Sequence, residues 1–237
     1  MKTDWSNKLF KGEKTIVLIS GKMRSGKDTV ANILLERLKS EKCKPRILHF
    51  SDGMKEILSK TLDISIDVLN DLKNNKNDLV LDSYSGASHT RVCQTNMRTI
   101  LQRFGTDAMQ SVFGKDIWTS LMQTKINTDT EHNVFIIPDF RFKHEYFKEP
   151  YKKWYTTDYT NFVTIRVENS ETVMLDDFQA EINTENISEN TSEHISEHDL
   201  DEFKFDITLI NPHTHAGVSD AVYSDCACIA NEILKLY

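Results

Sequence analysis

An apolar run, Thr15-Ile16-Val17-Leu18-Ile19-Ser20, leads directly into Gly21-Lys22-Met23-Arg24-Ser25-Gly26-Lys27-Asp28-Thr29, and a helix-periodic segment follows. This order constrains the chain more than any other feature, because it reads as strand, glycine loop and helix in succession. Two glycines with four residues between them, and a lysine after the second, let the backbone curl so that successive N–H groups and the helix N-terminus face a polyphosphate. Lys27 then meets the outer phosphates, and Gly21, Lys22, Arg24, Ser25, Gly26, Asp28 and Thr29 complete the loop. A surface turn with solvated lysines is the plainer reading, but it leaves the flanking strand and helix unexplained. One position departs from the general pattern: after Lys27, where Ser or Thr normally turns a hydroxyl toward Mg²⁺, the chain has Asp28, and Thr29 comes one residue late.

The rest of the sequence suits a domain built around such a loop. A chain of 237 residues can bury a full core as one α/β domain with insertions. Its formal charge of -7 argues against nucleic-acid partners or an anionic membrane surface, since both require a basic face. Anionic small-molecule substrates would have to be met by local cations. The sequence has neither a bilayer-length apolar run nor a signal-peptide core near its polar start, so a cytoplasmic protein is expected. The four cysteines, Cys43, Cys93, Cys226 and Cys228, show no CxxC spacing and predict neither disulfides nor a zinc site.

Hydrophobic patterning predicts five strands, at residues 15–20, 46–50, 134–139, 162–167 and 205–210. Val30, Ile33, Leu34 and Leu38 fall at helical spacing after the loop. Residues 61–91, rich in Asn, Asp and Lys, are expected to form helices with a mobile loop near 83–90. Met97, Ile100, Leu101 and Phe104 predict an amphipathic helix that stops at Gly105 and restarts at Thr106. The final helix is expected from about Ser219-Asp220, burying Val222, Ile229 and Ile233. Residues 1–13 read as a loose extension whose apolar side chains dock on the domain. Residues 168–202, acidic and poor in apolar residues, read as a lid or a partly disordered stretch.

A phosphate loop alone leaves kinases, GTPase-like switches and motors open, and the companions here are separated arginines. Transfer of a phosphoryl group between anionic substrates depends on cationic positioning, and arginine forks match phosphate oxygens bidentately. Arg24, Arg98, Arg103, Arg141 and Arg166 are the candidates. For each the ordinary alternative is a surface salt bridge. Asp139, at the end of the apolar run 134–139, reads as a carboxylate delivered to the cleft by a central strand. The strand-to-helix turn after residue 50 adds Asp52 and Lys55 on the acceptor side. Arg166 and Asn211, near the ends of the fourth and fifth strands, are candidates on the ATP side. Trp118 reads as core rather than a base-stacking residue, and His194 and His198, four apart among acids, make only a weak metal pattern.

Four ordered blocks resemble the deoxynucleoside monophosphate kinases of tailed bacteriophages, relatives of the cellular nucleoside monophosphate kinases. They are residues 20–29 with the Lys-Asp-Thr ending; Arg98-Thr99-Ile100-Leu101-Gln102-Arg103-Phe104-Gly105-Thr106-Asp107 followed by Trp118; Ile137-Pro138-Asp139-Phe140-Arg141 with His144-Glu145; and His194-Ile195-Ser196-Glu197 ahead of residues 206–211. The resemblance implies a P-loop NTPase kinase fold with a five-stranded parallel sheet flanked by helices, a helical monophosphate-binding insertion and a lid. The core would be 14–51 and 126–237, the lid near 168–202, and the insertion about 52–125. It also implies ATP on the phosphate loop, Mg²⁺ organised by Asp28 and Asp139, and an acceptor nucleotide facing Arg98, Gln102 and Thr106. Lys27, Asp28, Asp139 and Arg141 would form the reaction centre. A role in nucleotide biosynthesis follows, in the host cytoplasm if the chain is phage-encoded, and a homodimer is left open. The N-terminal extension, residues 83–90 and the acidic stretch 176–190 fall outside the blocks. The rival readings are a P-loop kinase of another small phosphorylated metabolite and a non-catalytic nucleotide-binding regulator. The absence of an Asn-Lys-x-Asp guanine-reading stretch weighs against a GTPase switch.

Overall fold

The computed structural model describes residues 6, 9, 14–22, 24–74, 78–85, 88–146, 160–169, 199–212 and 218–237, with only the backbone path for 78–85 and 88–95. The chain divides into two compact units, one of Met1–His49 with Gln123–Tyr237 and the other of Phe50–Met122. Most of the expected lid, the acidic stretch 176–190, His194, His198, His213, His215 and the N-terminal extension apart from Ser6 and Leu9 lie outside the described residues. Leu9 packs against the core of the first unit.

The first unit is built on a parallel sheet of five strands in the order β2-β5-β1-β6-β7. These are β1 (Lys14–Ser20), β2 (Pro45–Ile47), β5 (Val134–Ile137), β6 (Thr160–Asn169) and β7 (Ile207–Asn211). β1 pairs with β5 on one side and with β6 on the other, so it is the centre of the sheet. Its neighbour in sequence, β2, lies beyond β5, whereas β6 and β7 lie on the opposite side. The direction of winding therefore reverses at β1, and a crevice at the carboxyl end of such a strand is where open α/β sheets take ligands.

Because side chains alternate across a strand, each face has its own set. Val17, Ile19, Ile136, Val163, Ile165 and Leu209 face α1 (Lys27–Leu38) and the last helix, α7 (Asp220–Leu234), in one buried cluster. Val222, Cys226, Ile229 and Ile233 supply the α7 side of that contact. Cys226 is buried and Cys228 exposed, as two positions two apart on a helix require. The opposite face carries Phe162, which meets Tyr146 edge-on at 5.9 Å; Tyr146, Phe203, Phe205 and Phe140 continue the aromatic packing. Lys14 donates to the carbonyls of Ile126 and Asp129, closing the C-terminal end of α6 (Ile117–Thr128).

Two expected strands end early in the structure. The 46–50 run pairs only over Pro45–Ile47, after which Leu48 N still donates to Ile136 O at 3.0 Å and α2 (Ser51–Leu62) takes over. The 134–139 run leaves the sheet at Ile137, because Pro138 has no N–H to continue the ladder.

The second unit differs from the sequence expectation in two places. α2 and α3 (Ile66–Asn74) are helical as expected, and Asp63 ends α2 in the left-handed region at φ 53. Residues 78–85 and 88–96, however, form an antiparallel pair of strands, β3 (Asp78–Ser85) with β4 (Ser88–Asn96), instead of a helix and mobile loop. Its register slips between Leu81 and Asp82, where one strand has an extra residue. Nor does the helix after Asn96 break at Gly105. α4 (Met97–Gln102) runs without interruption into a π-helical segment, Arg103–Gln110, and then into α5 (Ser111–Phe113). A Cβ on Gly105 would lie 2.7 Å from Met54 Sδ, so the glycine serves close packing on α2 and not a helix end. Trp118 donates its Nε1–H to Gly105 O at 3.1 Å, in keeping with a structural role for this tryptophan. Leu58, Leu69, Met97 and Leu101 form the buried centre of this unit.

In the first unit, Asp206 fixes the entry to β7. Its Oδ2 accepts from Thr164 N at 2.8 Å and Thr164 Oγ1 at 2.9 Å, and its own N–H donates to Thr164 Oγ1 at 2.9 Å. Thr164 is fully buried, so an alanine at 206 leaves two donors without an acceptor. The expected loss for Asp206→Ala is about 2–3 kcal/mol of unfolding free energy, measured in urea. A change below about 0.5 kcal/mol would mean that water reaches those donors.

Candidate active site

The loop after β1 is shaped by what stands behind it. A Cβ on Gly21 would lie 2.4 Å from Ser25 Oγ and 2.6 Å from Val167 O, a backbone atom that cannot yield. No side chain fits there. The chain then turns with Arg24 at φ 66 and Gly26 at φ 96, and Ser25 N donates to Lys22 O at 3.2 Å. Left-handed backbone at Gly26 is the conformation that favours glycine. Val30 N donates to Gly26 O at 2.9 Å, and α1 is under way, its first amides free of intrahelical acceptors. Lys27 reaches back across the loop to the Lys22 carbonyl at 3.5 Å.

These features fit a polyphosphate. The helix N-terminus carries partial positive charge, Lys22, Arg24 and Lys27 add full charges, and the glycines let an anion approach the backbone. Ser25 Oγ is buried inside the curl and has no hydrogen-bond partner among the described residues. Asp28 and Thr29 are exposed on the first turn of α1. The helix has no side-chain cap at Gly26, and among the described residues nothing hydrogen-bonds the Asp28 carboxylate. Its carboxylate is thus not engaged in capping.

Asp139 and Arg141 lie in the turn after β5, which pairs directly with β1. Phe140, buried between them, donates its N–H to Ile19 O at 3.3 Å and ties this turn to the strand that carries the loop. Glu145, which the sequence offered only as part of a block, holds the other side. Its Oε2 accepts from Arg141 N at 2.7 Å and Phe142 N at 3.0 Å. Burial pushes the Glu145 carboxyl up to about 8; Asp139 adds to the rise, and the two N–H donors and Arg141 oppose it without overcoming it. Nothing in the linear sequence marks this buried acid beyond its place four residues after Arg141.

Arg166 sits opposite Ser20 in the β1–β6 register and donates to Ser20 Oγ at 3.2 Å. Asp201 lies 3.6 Å and Glu168 3.9 Å away, and the guanidinium stands 5.7 Å from the centre of the Phe205 ring. Asn211, the last residue of β7, donates to Ser25 O at 3.0 Å. The first unit thus brings together residues 21, 22 and 24–29, Asp139, Arg141, Arg166 and Asn211 along the carboxyl edge of adjoining strands. Among the described residues no group of three or more His, Cys, Asp or Glu could hold a metal by itself.

The remaining candidates belong to the second unit. Asp52, on the first turn of α2, and Lys55, one turn along, are half-buried. Arg98 and Gln102 are exposed at i and i+4 on α4, each next in sequence to a buried residue, Met97 and Leu101. Asn96 caps that helix, its Oδ1 accepting from Thr99 N at 2.9 Å. Thr106 and the exposed Arg103 lie on the π-helical segment, a geometry common at functional sites.

A five-stranded parallel sheet with a glycine-lysine loop at its central strand is a P-loop kinase fold. The chain resembles one family in particular: residues 54–149 match the family model described as Deoxynucleotide monophosphate kinase. The match takes in Arg98, Gln102, Thr106, Asp139, Arg141 and Glu145 and leaves the phosphate loop outside. Fold and match together mark the chain as a kinase. No curated protein matches it at significance. No helix among the described residues is long and apolar enough to cross a membrane.

Glu145 gives a pH test. Its carboxyl moves from about 4.5 when unfolded to about 8 when folded, so the folded state binds the proton more tightly. Its contribution to stability is therefore fully present below pH 4.5 and is lost as pH rises toward 8. Glu145→Gln keeps an acceptor for both N–H groups and removes the titration. The expected result is that the wild-type melting temperature falls relative to the Gln variant between pH 5 and 8. Parallel curves would show that Glu145 is ionised throughout.

Proposed function

We propose that this protein transfers the γ-phosphoryl group of ATP to a deoxynucleoside 5′-monophosphate, giving the diphosphate and ADP. The observation that carries this reading is the family match over residues 54–149, which takes in Lys55, Arg98, Gln102, Thr106 and Arg141 on the acceptor side, while the glycine-shaped loop outside it independently supports a polyphosphate site. Residues 52–125 are read as the monophosphate-binding insertion, and the cytoplasm as the site of action.

ATP with Mg²⁺ supplies the phosphoryl group and screens its charge. The chain's own residues do the positioning. Residues 21–29 hold the donor phosphates, and Lys27 neutralises charge that develops on the transferring group, which is loosely bonded at the transition state. Asp28 offers an anionic oxygen to Mg²⁺ or its waters where the general motif offers a neutral hydroxyl, and Asp139 is the second such group. On the acceptor side Arg98 is read as a phosphate contact, with Gln102, Thr106, Asp52 and Lys55 as further acceptor-binding residues, and Arg141 is read as a phosphate-binding residue of the reaction centre. Arg166 and Asn211 support the ATP side.

The test is ADP release from ATP with each deoxy- and ribonucleoside monophosphate, in the wild type and in Arg98→Ala. Stimulation by at least one deoxynucleoside monophosphate is expected. In Arg98→Ala its KM should rise about tenfold or more while the KM for ATP holds, since one charge-assisted phosphate contact is lost. Turnover stimulated only by another phosphorylated metabolite would favour a different P-loop kinase. Slow hydrolysis indifferent to every acceptor would make the chain a nucleotide-binding regulator.

A further inference from the structure

Asn211 is buried at the end of β7, and both ends of its amide are engaged by backbone. Nδ2 donates to Ser25 O at 3.0 Å, and Oδ1 accepts from Ser219 N at 3.2 Å. The two partners fix the orientation of the amide, because a carbonyl needs the donor and an N–H needs the acceptor. Ser219 is itself the N-cap of α7, its Oγ accepting from Val222 N at 3.4 Å. Asn211 also fills the space beside Gly26, where a Cβ would lie 2.8 Å from Nδ2. One side chain thus joins the phosphate loop to the start of the last helix.

The consequence follows from peptide geometry. A trans peptide is planar, with its C=O and N–H pointing in opposite directions. Holding the Ser25 carbonyl against Asn211 therefore turns the Gly26 N–H the other way, out of the packed interior behind the loop. We infer that Asn211 is a positioning residue for polyphosphate: it sets the direction of the Ser25–Gly26 peptide and acts on ATP through the loop, without reading the nucleoside. This rests on the phosphate-loop reading above. No other side chain of this size carries a donor and an acceptor at these two positions: Asp lacks the donor and Leu lacks both.

The test compares binding of ATP and of inorganic tripolyphosphate, each with Mg²⁺, by titration calorimetry well below the melting temperature. The proteins are the wild type, Asn211→Asp and the uncharged Asn211→Leu. Both variants are expected to lose about tenfold or more in affinity, by the same factor for the two ligands, while the KM for the acceptor monophosphate is unmoved. Unfolding curves show that the folded state is being titrated, and if Asn211→Leu fails to fold, Asn211→Asp, which keeps the acceptor for Ser219 N, gives the comparison. A loss confined to ATP would assign Asn211 to the nucleoside and overturn the inference, as would unchanged affinity for both ligands. Failure of the wild type to bind either ligand would instead remove the phosphate-loop reading on which it rests.

Discussion

The approach of Gly21 to the Val167 carbonyl is the contact on which the site depends. The loop leaves the central strand so close to its neighbour that a single methyl group would overlap a backbone oxygen at 2.6 Å. That closeness lets the chain curl back over the edge of the sheet and present helix amides instead of burying them. It also explains why the surroundings are polar yet buried. Ser20 receives Arg166 and Ser25 receives Asn211, each from one of the two strands on that side of β1. The loop's shape is thus imposed by the sheet as much as by its own glycines.

The turn after β5 shows the same principle on the other side of β1. Phe140 is anchored in the apolar interior and bonded to Ile19, so the flanking Asp139 and Arg141 are held by a core residue. Glu145 completes the turn by accepting from two of its N–H groups. Placing charged groups on a turn pinned by a buried aromatic and a buried acid restricts their freedom before substrate arrives. Catalysis that works mainly by positioning gains from that restriction.

How much of this could be read in the chain depended on whether the signal was local. The buried strands of a parallel sheet are continuous apolar runs, and 134–137 and 162–167 were legible for that reason. The glycine spacing and the Lys27 position were legible because a strand precedes them and a helix follows. The antiparallel pair of 78–85 with 88–96 was not, since its polar strands carry little alternation and the Asn- and Lys-rich stretch before them favours no one structure. Gly105 looked like a helix stop because glycine usually is one. Its real cause is the Met54 side chain, which is distant in sequence. Its position at a strand end puts Asn211 on the ATP side, but its partner Ser25 lies 186 residues away, and no spacing rule announces that bond.

The family match and the loop are separate lines of evidence that converge on phosphoryl transfer. The most direct measurement is the fate of the γ-phosphoryl group in the wild type and Lys27→Ala, using ATP labelled at that position together with a deoxynucleoside monophosphate. For the wild type, label should appear in the deoxynucleoside diphosphate in step with ADP, and in Lys27→Ala that transfer should fall about 100- to 1,000-fold. Label found only in inorganic phosphate, or transfer undiminished without Lys27, would contradict the assignment of this chain as a monophosphate kinase working from its phosphate loop.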